Sequence, residues 1–354
     1  MTKRHISLLV GVSAAALVGS GVAAAAPASF ARTLLVHPGE SIQKAVDSAR
    51  PGDTVLVLSG TYRQSVRITT PGLTLRGMGR STVLEPAAKA TGDCGKRGNG
   101  ICVAGTKSKR LMGVTVSRLR LTGYPRAGLV AVGADGLTVR HVTSEKNTVW
   151  GFAEERSEHS TYEGDTARDN GDAGLFLANT ITAEQGAADS KETLISHNLL
   201  VGNRIGVTVR RLRDLTVAAN EITGNCAGVF VVGDENKPKA GAVTVRDNRV
   251  VQNNKYCAKT ERLPFLQGSG IVLTGAEKSE ITDNTVAQNS GTSPLSGGIV
   301  LYKSFVGATS DNNLISGNAL EGNAPADLVD QESAQRGNTF RDNSCAASRP
   351  AGLC

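Results

Sequence analysis

The sequence of 354 residues predicts an all-β protein that folds as a single-stranded parallel β-helix, a solenoid capped at its N-terminal end by a short helix. Two observations predict this fold. A motif of asparagines and glycines recurs every 22 or 23 residues from about Leu111 onward, and aromatic residues make up only 4% of the chain, which contains 41 glycines. So short a repeat leaves no room for a helix between strands, whereas it suits one coil of three short strands that stack into parallel sheets. We expect one elongated domain of roughly ten coils over residues 33–354.

The asparagines of the repeat occur in pairs five residues apart, and a glycine followed by apolar residues comes after the pairs. The pairs are Asn198/Asn203, Asn220/Asn225, Asn248/Asn253, Asn284/Asn289 and Asn318/Asn323, and the glycines are Gly128, Gly151, Gly174, Gly206, Gly228, Gly270 and Gly298. Asparagine tolerates the left-handed backbone that a sharp bend between strands requires. Its amide can also hydrogen-bond to the equivalent asparagine one coil away. We therefore predict that these asparagines are structural.

A short amphipathic helix precedes the repeats at residues 41–49. Ile42, Ala45, Val46 and Ala49 share one helical face, and Pro51 ends the helix. Such a helix can cover the open end of a solenoid, whose terminal coil would otherwise expose its core. The strand-like segments that follow are Thr54–Leu58, Ser65–Ile68, Leu73–Leu75 and Thr82–Leu84.

The first residues are typical of a secretory signal peptide. Lys3 and Arg4 form a positive start, Ile6–Ala16 is apolar, and cleavage after Ala26 would remove residues 1–26. A retained membrane anchor is the alternative, weakened by glycine and serine within the apolar stretch. Cleavage changes the net charge from +7 to +5, because two basic residues and no acidic ones are lost. This mild basic excess is compatible with acidic polysaccharides, whereas a nucleic-acid partner is not expected.

Six cysteines remain after cleavage, and disulfides are expected in an oxidising compartment. Six cysteines allow fifteen connectivities, but their placement suggests local pairing: Cys94 with Cys102, Cys226 with Cys257, and Cys345 with Cys354. Because the chain has no Cys-x-x-Cys pair, a zinc site is not expected. We predict neither a metal nor a cofactor.

The opening segment also resembles a known superfamily. Ile42-Gln43-x-Ala45-Val46, Pro51-Gly52-Asp53-Thr54-Val55, Gly60-Thr61-Tyr62 and Gly72-Leu73-Thr74-Leu75-Arg76-Gly77 resemble the start of pectin-lyase-like right-handed β-helix proteins. The later coils resemble the NosD-like branch, and the resemblance covers almost all of residues 33–345. It implies a right-handed parallel β-helix. Function does not follow from it, because this scaffold hosts lyases, hydrolases, epimerases and non-catalytic proteins.

The catalytic signatures of this superfamily are missing from the chain. We find no Gly-His-Gly segment as in polygalacturonases, no histidine and arginine signature of pectate lyases, and no Asp-Pro-His motif of alginate epimerases. Whether the protein is an enzyme therefore stays open. If it is one, a polysaccharide lyase or a glycoside hydrolase is expected.

Glu154 is the most unusual residue of the repeats. It occupies a position that is apolar in the other coils, close to Trp150, the only tryptophan of the chain. A carboxylate at such a position is costly unless it is paired or functional. Trp150 is of a type that stacks on sugar rings. The alternatives are a local bulge that turns Glu154 to solvent and an open edge of the β-helix.

Stacking of the coils extends this patch into a polar strip. Glu155 aligns with Ala178 and Arg210 on the following coils, and Arg156 aligns with Asn179 and Arg211. We predict catalytic roles for Glu154, Glu155, Arg156 and Arg210, and substrate-binding roles for Trp150, Asn179 and Arg211. Guanidinium groups hold uronate carboxylates bidentately and could neutralise the sugar in a β-elimination. The alternative is a solvated outer face.

Two further groups of polar residues carry weaker hypotheses. Asp165, Asp169 and Asp172 could supply the two carboxylates of a glycoside hydrolase, but Asp165 occupies an asparagine slot and Asp172 lies in a turn. His141 and His197 share a repeat position but are two coils apart, which is too far for one metal ion.

These observations predict a secreted, monomeric protein that binds an extracellular polysaccharide. Cleavage of that polysaccharide is an extension of the same hypothesis. The alternative is a non-catalytic scaffold of the cell envelope or surface. No membrane span is expected after signal cleavage. A groove with paired carboxylates and arginines favours the first hypothesis, and a flat, evenly charged surface favours the second.

Overall fold

The computed structural model of the protein describes residues 31–106, 108–332 and 336–354, and the predicted signal peptide at residues 1–26 lies outside them. Residues Ala31–Cys354 form one compact unit. Within the described residues, three long sheets run along this unit, and each strand pairs in parallel with the equivalent strand of the next coil. The predicted all-β solenoid is therefore confirmed.

The three sheets follow one another in the order sheet A, sheet B and sheet C, except at the ends, where a helix follows Thr33–Val36 and a strand of sheet C directly follows Thr339–Arg341. Sheet A contains Thr33–Val36, Thr54–Val57, Thr74–Gly77, Thr115–Ser117, Thr138–Arg140, Thr161–Glu163, Ala188–Ser196, Leu212–Ala218, Ala240–Arg246, Ala276–Glu277, Glu280–Thr282, Leu314–Ser316 and Thr339–Arg341. Sheet B contains Gly60–Arg63, Thr82–Glu85, Arg120–Thr122, Thr143–Glu145, Thr166–Arg168, Leu199–Val201, Glu221–Thr223, Arg249–Val251, Thr285–Ala287 and Ala319–Glu321. Sheet C contains Val66–Ile68, Asn99–Ala104, Ala127–Val132, Trp150–Glu155, Ala173–Ala178, Ile205–Arg210, Ala227–Val232, Ser269–Thr274, Gly297–Leu301, Leu328–Asp330 and Ser348–Arg349.

Two helices and one additional strand pair complete the described elements: the helices Ile42–Ser48 and Gly92–Lys96, and the strands Leu111–Met112 and Ala134–Asp135. The first helix matches the prediction: Ser41 is its N-cap and accepts a hydrogen bond from the Lys44 N–H, while Ile42 and Val46 are buried. The pattern of the sequence did not indicate the strand Gly60–Arg63 or the helix Gly92–Lys96.

The core fills the inside of the coils with stacked aliphatic side chains. In sheet A, Val139 pairs with Tyr162 and Tyr162 pairs with Ile195, and all three are fully buried. Because pairing in register places equivalent residues one strand spacing apart, the inward columns are stacks of mainly apolar side chains. Each outward column lies either on the surface or under a loop. On sheet C, loops rise beside outward side chains, and the candidate site lies between them.

The predicted asparagine ladder is present as two parallel columns. In one column Asn203 donates from Nδ2 to Asn225 Oδ1 at 3.2 Å, and Asn225 donates to Asn253 Oδ1 at 2.8 Å. The left-handed backbone, however, belongs to the residue before each asparagine, such as His197 (φ 57°) or Gly202 (φ 71°). The predicted left-handed conformation of the asparagines themselves is therefore wrong. Their role is to satisfy the buried backbone groups of the bend.

The repeat glycines lie where two coils approach each other most closely. A Cβ atom on Gly174 would lie 2.8 Å from the Gly206 carbonyl oxygen, and a Cβ atom on Gly206 would lie 2.6 Å from that of Gly228. Any side chain in this column would separate adjacent coils, so only glycine fits.

All three predicted disulfides are present: Cys94–Cys102, Cys226–Cys257 and Cys345–Cys354. The last one closes the C-terminal tail, where Leu353 packs against the core. In the described part of the chain, we find no helix whose length and apolar character would let it cross a membrane.

Candidate functional site

A cleft of about 860 Å3 lies on the outer face of sheet C. Its floor is a column of three outward side chains, Phe176, Thr208 and Phe230, which face one another across paired strands. The alternation of a β-strand places them opposite the core residues Leu175 and Val207. The volume is in the range of ligand-binding clefts.

Loops that precede or follow strands of sheet C form the walls of the cleft. Wall residues come from four segments: Ile181 and Glu184, Gly233–Glu235, Thr260–Leu263, and Ser304–Val306. The Cys226–Cys257 disulfide ties the third wall to its coil. The walls exist because insertions interrupt the repeat: three of these segments follow strands of sheet C, and Thr260–Leu263 lies between a strand of sheet B and one of sheet C.

The side chain of Arg204 also holds the wall segment Thr260–Leu263 in place. Its side chain is 7% exposed and donates from one terminal nitrogen to the Ala258 carbonyl at 2.7 Å and from the other to the Pro264 carbonyl at 3.4 Å. Its Nε is enclosed and has no hydrogen-bond partner among the described residues. Sequence reasoning missed Arg204, because a lone arginine before a strand gives no signal of burial.

Trp150 lies in the cleft, but both of its faces are covered. Phe176 stacks on the ring with centroids 4.9 Å apart, and the Arg126 guanidinium lies 5.2 Å from the ring centroid. Only 7% of the residue is exposed. The predicted sugar-stacking role of Trp150 is therefore corrected: the ring holds a neighbouring carboxyl. The accessible aromatic of the cleft is Phe305, which is 61% exposed and which sequence reasoning missed.

The carboxyl held by Trp150 is that of Asp172. Trp150 Nε1–H donates to Asp172 Oδ2 at 3.0 Å. Burial raises the pKa of Asp172 above its ordinary value, and the hydrogen bond from Trp150 and the nearby charge of Arg204 oppose this shift. The cleft thus contains one oriented carboxyl beside one buried guanidinium.

Arg210 and Arg211 occupy the opposite end of the cleft. Arg210 donates to the Ile181 carbonyl at 3.0 Å, and burial together with the neighbouring Arg211 and Arg262 lowers its pKa. Arg211 is ion-paired with Asp234 and lies 3.4 Å from a Glu184 carboxylate oxygen. Arg210 has no such carboxylate partner within the described residues.

Glu154 does not belong to the cleft, which corrects the prediction. Its column continues as Ala131 and Leu177, which face the core, so Glu154 also points inward and is only 2% exposed. Tyr162 Oη–H donates to its Oε2 at 2.9 Å, and burial raises the pKa of Glu154 to about 7. Neither the predicted groove nor the alternative bulge describes this position.

The remaining members of the predicted strip have other positions. The alignment of Glu155 with Ala178 and Arg210 is confirmed, but Glu155 pairs with its neighbour Arg156 at 3.5 Å and neither residue lines the cleft. Asn179 supports a wall, because its Nδ2 donates to the Gly186 carbonyl at 2.6 Å. The structure therefore brings only Trp150, Arg210 and Arg211 of the predicted residues to the cleft.

The three aspartates that the sequence suggested as a cluster, Asp165, Asp169 and Asp172, lie in three different environments. Asp165 lies in the asparagine ladder, where its Oδ1 accepts from the Val142 N–H at 2.8 Å and its Oδ2 is enclosed without a partner. Burial raises its pKa well above the ordinary value. Asp169 is exposed in a turn with φ 55°. Only Asp172 reaches the cleft.

Asp135, Glu158 and His159 come close enough to hold a metal ion. His159 Nδ1 lies 2.8 Å from Asp135 Oδ1, and Glu158 already pairs with Arg110 at 3.1 Å and with Lys191 at 3.0 Å. Two carboxylates and one imidazole, with one carboxylate neutralised by two cations, do not fit a copper(I) ion, which prefers thiolate and thioether ligands.

Comparisons with known proteins agree with this architecture. The sequence profile of the periplasmic copper-binding protein NosD matches residues 178–349, and that of the right-handed β-helix region matches residues 93–240. Together with the observed fold, these matches show a right-handed parallel β-helix, and they indicate the superfamily of that name. No protein with a curated description matches the chain.

Several solved structures share the fold. The A-module of the mannuronan C-5 epimerase AlgE4 from Azotobacter vinelandii is 17% identical, with a TM-score of 0.56 over 87% of this chain and 91% of that chain. The alginate lyase from Paenibacillus sp. str. FPU-7 is 14% identical, with a TM-score of 0.53 over 85% and 98%. The lidless DFA-IIIase from Arthrobacter chlorophenolicus A6 is 13% identical, with a TM-score of 0.56 over 84% and 86%. At these identities the likeness shows the fold alone.

Proposed function

We propose that the protein is exported and binds a polysaccharide in the cleft on sheet C. The observation that carries this proposal is a walled cleft whose lining combines the exposed ring of Phe305 with the guanidinium of Arg210. Sugar rings present apolar faces to aromatic side chains and hydroxyl or carboxyl groups to polar ones. A non-catalytic scaffold needs no such cleft. A flat surface would have favoured the scaffold hypothesis.

The end of the cleft at Arg210 fits an acidic sugar. Three guanidinium groups lie near one another there, those of Arg210, Arg211 and Arg262. Arg211 is ion-paired with Asp234 and Glu184, whereas these carboxylates act on Arg210 only from a distance, and Arg210 makes no ion pair within the described residues. A uronate carboxylate would pair with it bidentately.

Cleavage of the bound polysaccharide is a weaker extension of this proposal. Glu154 is enclosed in the core and cannot act as the base of a β-elimination. The mannuronan epimerase and the alginate lyase that share the fold nevertheless act on polysaccharides by their names, and the cleft contains the carboxyl of Asp172. Lyase or hydrolase activity therefore belongs in the same experiment as binding.

Export is supported by the covalent chemistry of the chain. All six cysteines are joined in disulfides, which persist in oxidising compartments and are rare in the cytosol. The profile that matches residues 178–349 describes a periplasmic protein. We propose a periplasmic or extracellular location and a monomeric state.

A glycan-array screen of the mature chain tests this proposal. We expect binding to a polyuronate that Arg210→Gln weakens about tenfold or more, which corresponds to one lost charge-assisted hydrogen-bonded contact. Arg76→Gln is the matched control, because Arg76 is exposed on sheet A, away from the cleft. Ultraviolet absorbance of unsaturated uronates, followed in parallel, would reveal lyase activity. If no neutral or acidic glycan binds, the proposal is wrong and the scaffold alternative stands.

A further inference from the structure

Asp172 is an oriented hydrogen-bonding group at the end of the cleft opposite Arg210. Its Oδ2 accepts from Trp150 Nε1–H at 3.0 Å, while its Oδ1 makes no side-chain hydrogen bond within the described residues. Trp150 is itself held by its neighbours, because Phe176 stacks on its ring, the Arg126 guanidinium lies 5.2 Å from the ring centroid and only 7% of the residue is exposed. The direction of the carboxyl group is therefore set before any ligand arrives, which lowers the entropic cost of binding.

The neighbour of Asp172 on the next coil is the buried Arg204. The two residues occupy equivalent positions, since the Arg204 N–H donates to the Asp172 carbonyl at 2.9 Å. They make no direct ion pair, although the charge of each shifts the pKa of the other. Both terminal nitrogens of Arg204 donate to wall carbonyls, so the guanidinium is also held in place.

A carboxyl and a guanidinium held apart in this way select the chemistry of a ligand. A ligand carboxylate would be repelled by Asp172, and a ligand ammonium would be repelled by Arg204. A hydroxyl group can donate to the free Oδ1 of Asp172 and carries no charge for Arg204 to repel, so it suits both neighbours. Sugar rings carry such hydroxyl groups in pairs, and the apolar Ile205 and Phe176 beside this corner suit the rest of a ring.

We infer that Asp172, oriented by Trp150, binds the ring hydroxyl groups of the polysaccharide, whereas Arg210 binds a carboxylate at the other end of the cleft. This inference rests on the proposed polysaccharide binding in the same cleft. It assigns Asp172 as a ligand-contacting residue and Trp150 as a positioning residue. It also divides the cleft into a hydroxyl-binding end and a carboxylate-binding end.

The roles of the two ends can be distinguished by comparing an acidic oligosaccharide with neutral ones. Isothermal titration with oligogalacturonate and with the neutral tetrasaccharides of cellulose and xylan gives the affinity of each variant. Asp172→Asn keeps the size of the side chain and a carbonyl acceptor for Trp150, but it replaces the free acceptor by an amide donor. We expect it to weaken every probe that the native protein binds, by about tenfold or more.

Three further variants complete the design. Trp150→Phe keeps the stacked ring but removes the N–H donor, and we expect a smaller loss for the same probes. Arg210→Gln should weaken only the oligogalacturonate. Asp169→Asn is the matched control, because the same substitution then falls on an exposed turn outside the cleft.

Trp150 gives a second readout that does not depend on a variant. It is the only tryptophan of the chain, so its fluorescence reports the cleft alone, and we expect saturating probe to change it. Unchanged affinities in Asp172→Asn, with the native protein still binding, would overturn the hydroxyl assignment and leave the proposed function intact. A native protein that binds none of the probes would overturn both.

Discussion

The carboxyl of Glu154 inside the solenoid should make the stability of the protein depend on pH. Burial raises the pKa of Glu154 from 4.5 to about 7 in the folded protein, and the hydrogen bond from Tyr162 limits the shift. The native state therefore retains a proton that the unfolded chain has already lost above pH ~4.5. Stability from this group is complete at low pH and is lost as the pH rises toward about 7.

The size of the effect follows from the pKa difference. One pKa unit corresponds to about 1.4 kcal/mol, so Glu154 costs the native state about 3 kcal/mol of stability between pH 4.5 and pH 8. Glu154→Gln cannot ionise and keeps an acceptor for the Tyr162 hydroxyl. The difference in unfolding free energy between the variant and the native protein should therefore change by about 3 kcal/mol across this range, in favour of the variant at high pH.

Unfolding in guanidinium chloride, followed by circular dichroism with the disulfides intact, measures this difference at each pH. Glu280→Gln is the matched control, because Glu280 is exposed on sheet A. The reasoning is refuted if Glu154→Gln shifts the unfolding free energy by the same amount at pH 4.5 and pH 8.

Three further substitutions test the construction of the coils and of the cleft wall. Asp165→Asn should raise the unfolding free energy by about 1–3 kcal/mol, because the enclosed Oδ2 becomes an amide that can donate to Asn198 Oδ1; a loss of stability in denaturant unfolding would contradict this. Replacing Cys226 and Cys257 by serine should destabilise the protein by about 2–4 kcal/mol and increase hydrogen exchange in residues 254–268, while exchange in the sheets stays slow. Gly174→Ala should lower the thermal unfolding midpoint, because its Cβ would lie 2.8 Å from a carbonyl oxygen of the next coil; an unchanged midpoint would show that the coils can separate at no cost.

The fold could be predicted because the same pattern of residues recurs in successive coils. The pairs Asn198/Asn203 and Asn220/Asn225, together with the glycine after each pair, recur at nearly constant spacing, and each serves a contact to the next coil. The repeat also predicts the disulfide Cys226–Cys257, whereas Cys94–Cys102 and Cys345–Cys354 are predicted from the closeness of their cysteines in the sequence. The prediction placed the left-handed backbone on the asparagine, but the structure has it on the preceding residue. At each bend one residue turns the backbone, and the next one, the asparagine, makes the side-chain hydrogen bonds.

The site could be predicted only in part. Trp150 stands out as the only tryptophan, stacking of the coils aligns Arg210 and Arg211 with Glu155 and Arg156, and all three predicted residues line the cleft. Glu154 does interrupt the apolar repeat, but the direction of its side chain depends on strand alternation, which places it with core residues. Phe305 and the other wall residues lie on insertions, and the path of an insertion is not encoded in the repeat pattern.

Hydrogen–deuterium exchange of the mature protein with and without a bound glycan tests the central claim most directly. The account predicts that the glycan protects the walls of the cleft, at residues 179–187, 233–239 and 257–268, and leaves sheets A and B unchanged. Protection confined to the outer faces of sheets A and B, with the walls unaffected, would show that the polysaccharide binds elsewhere and would contradict the account.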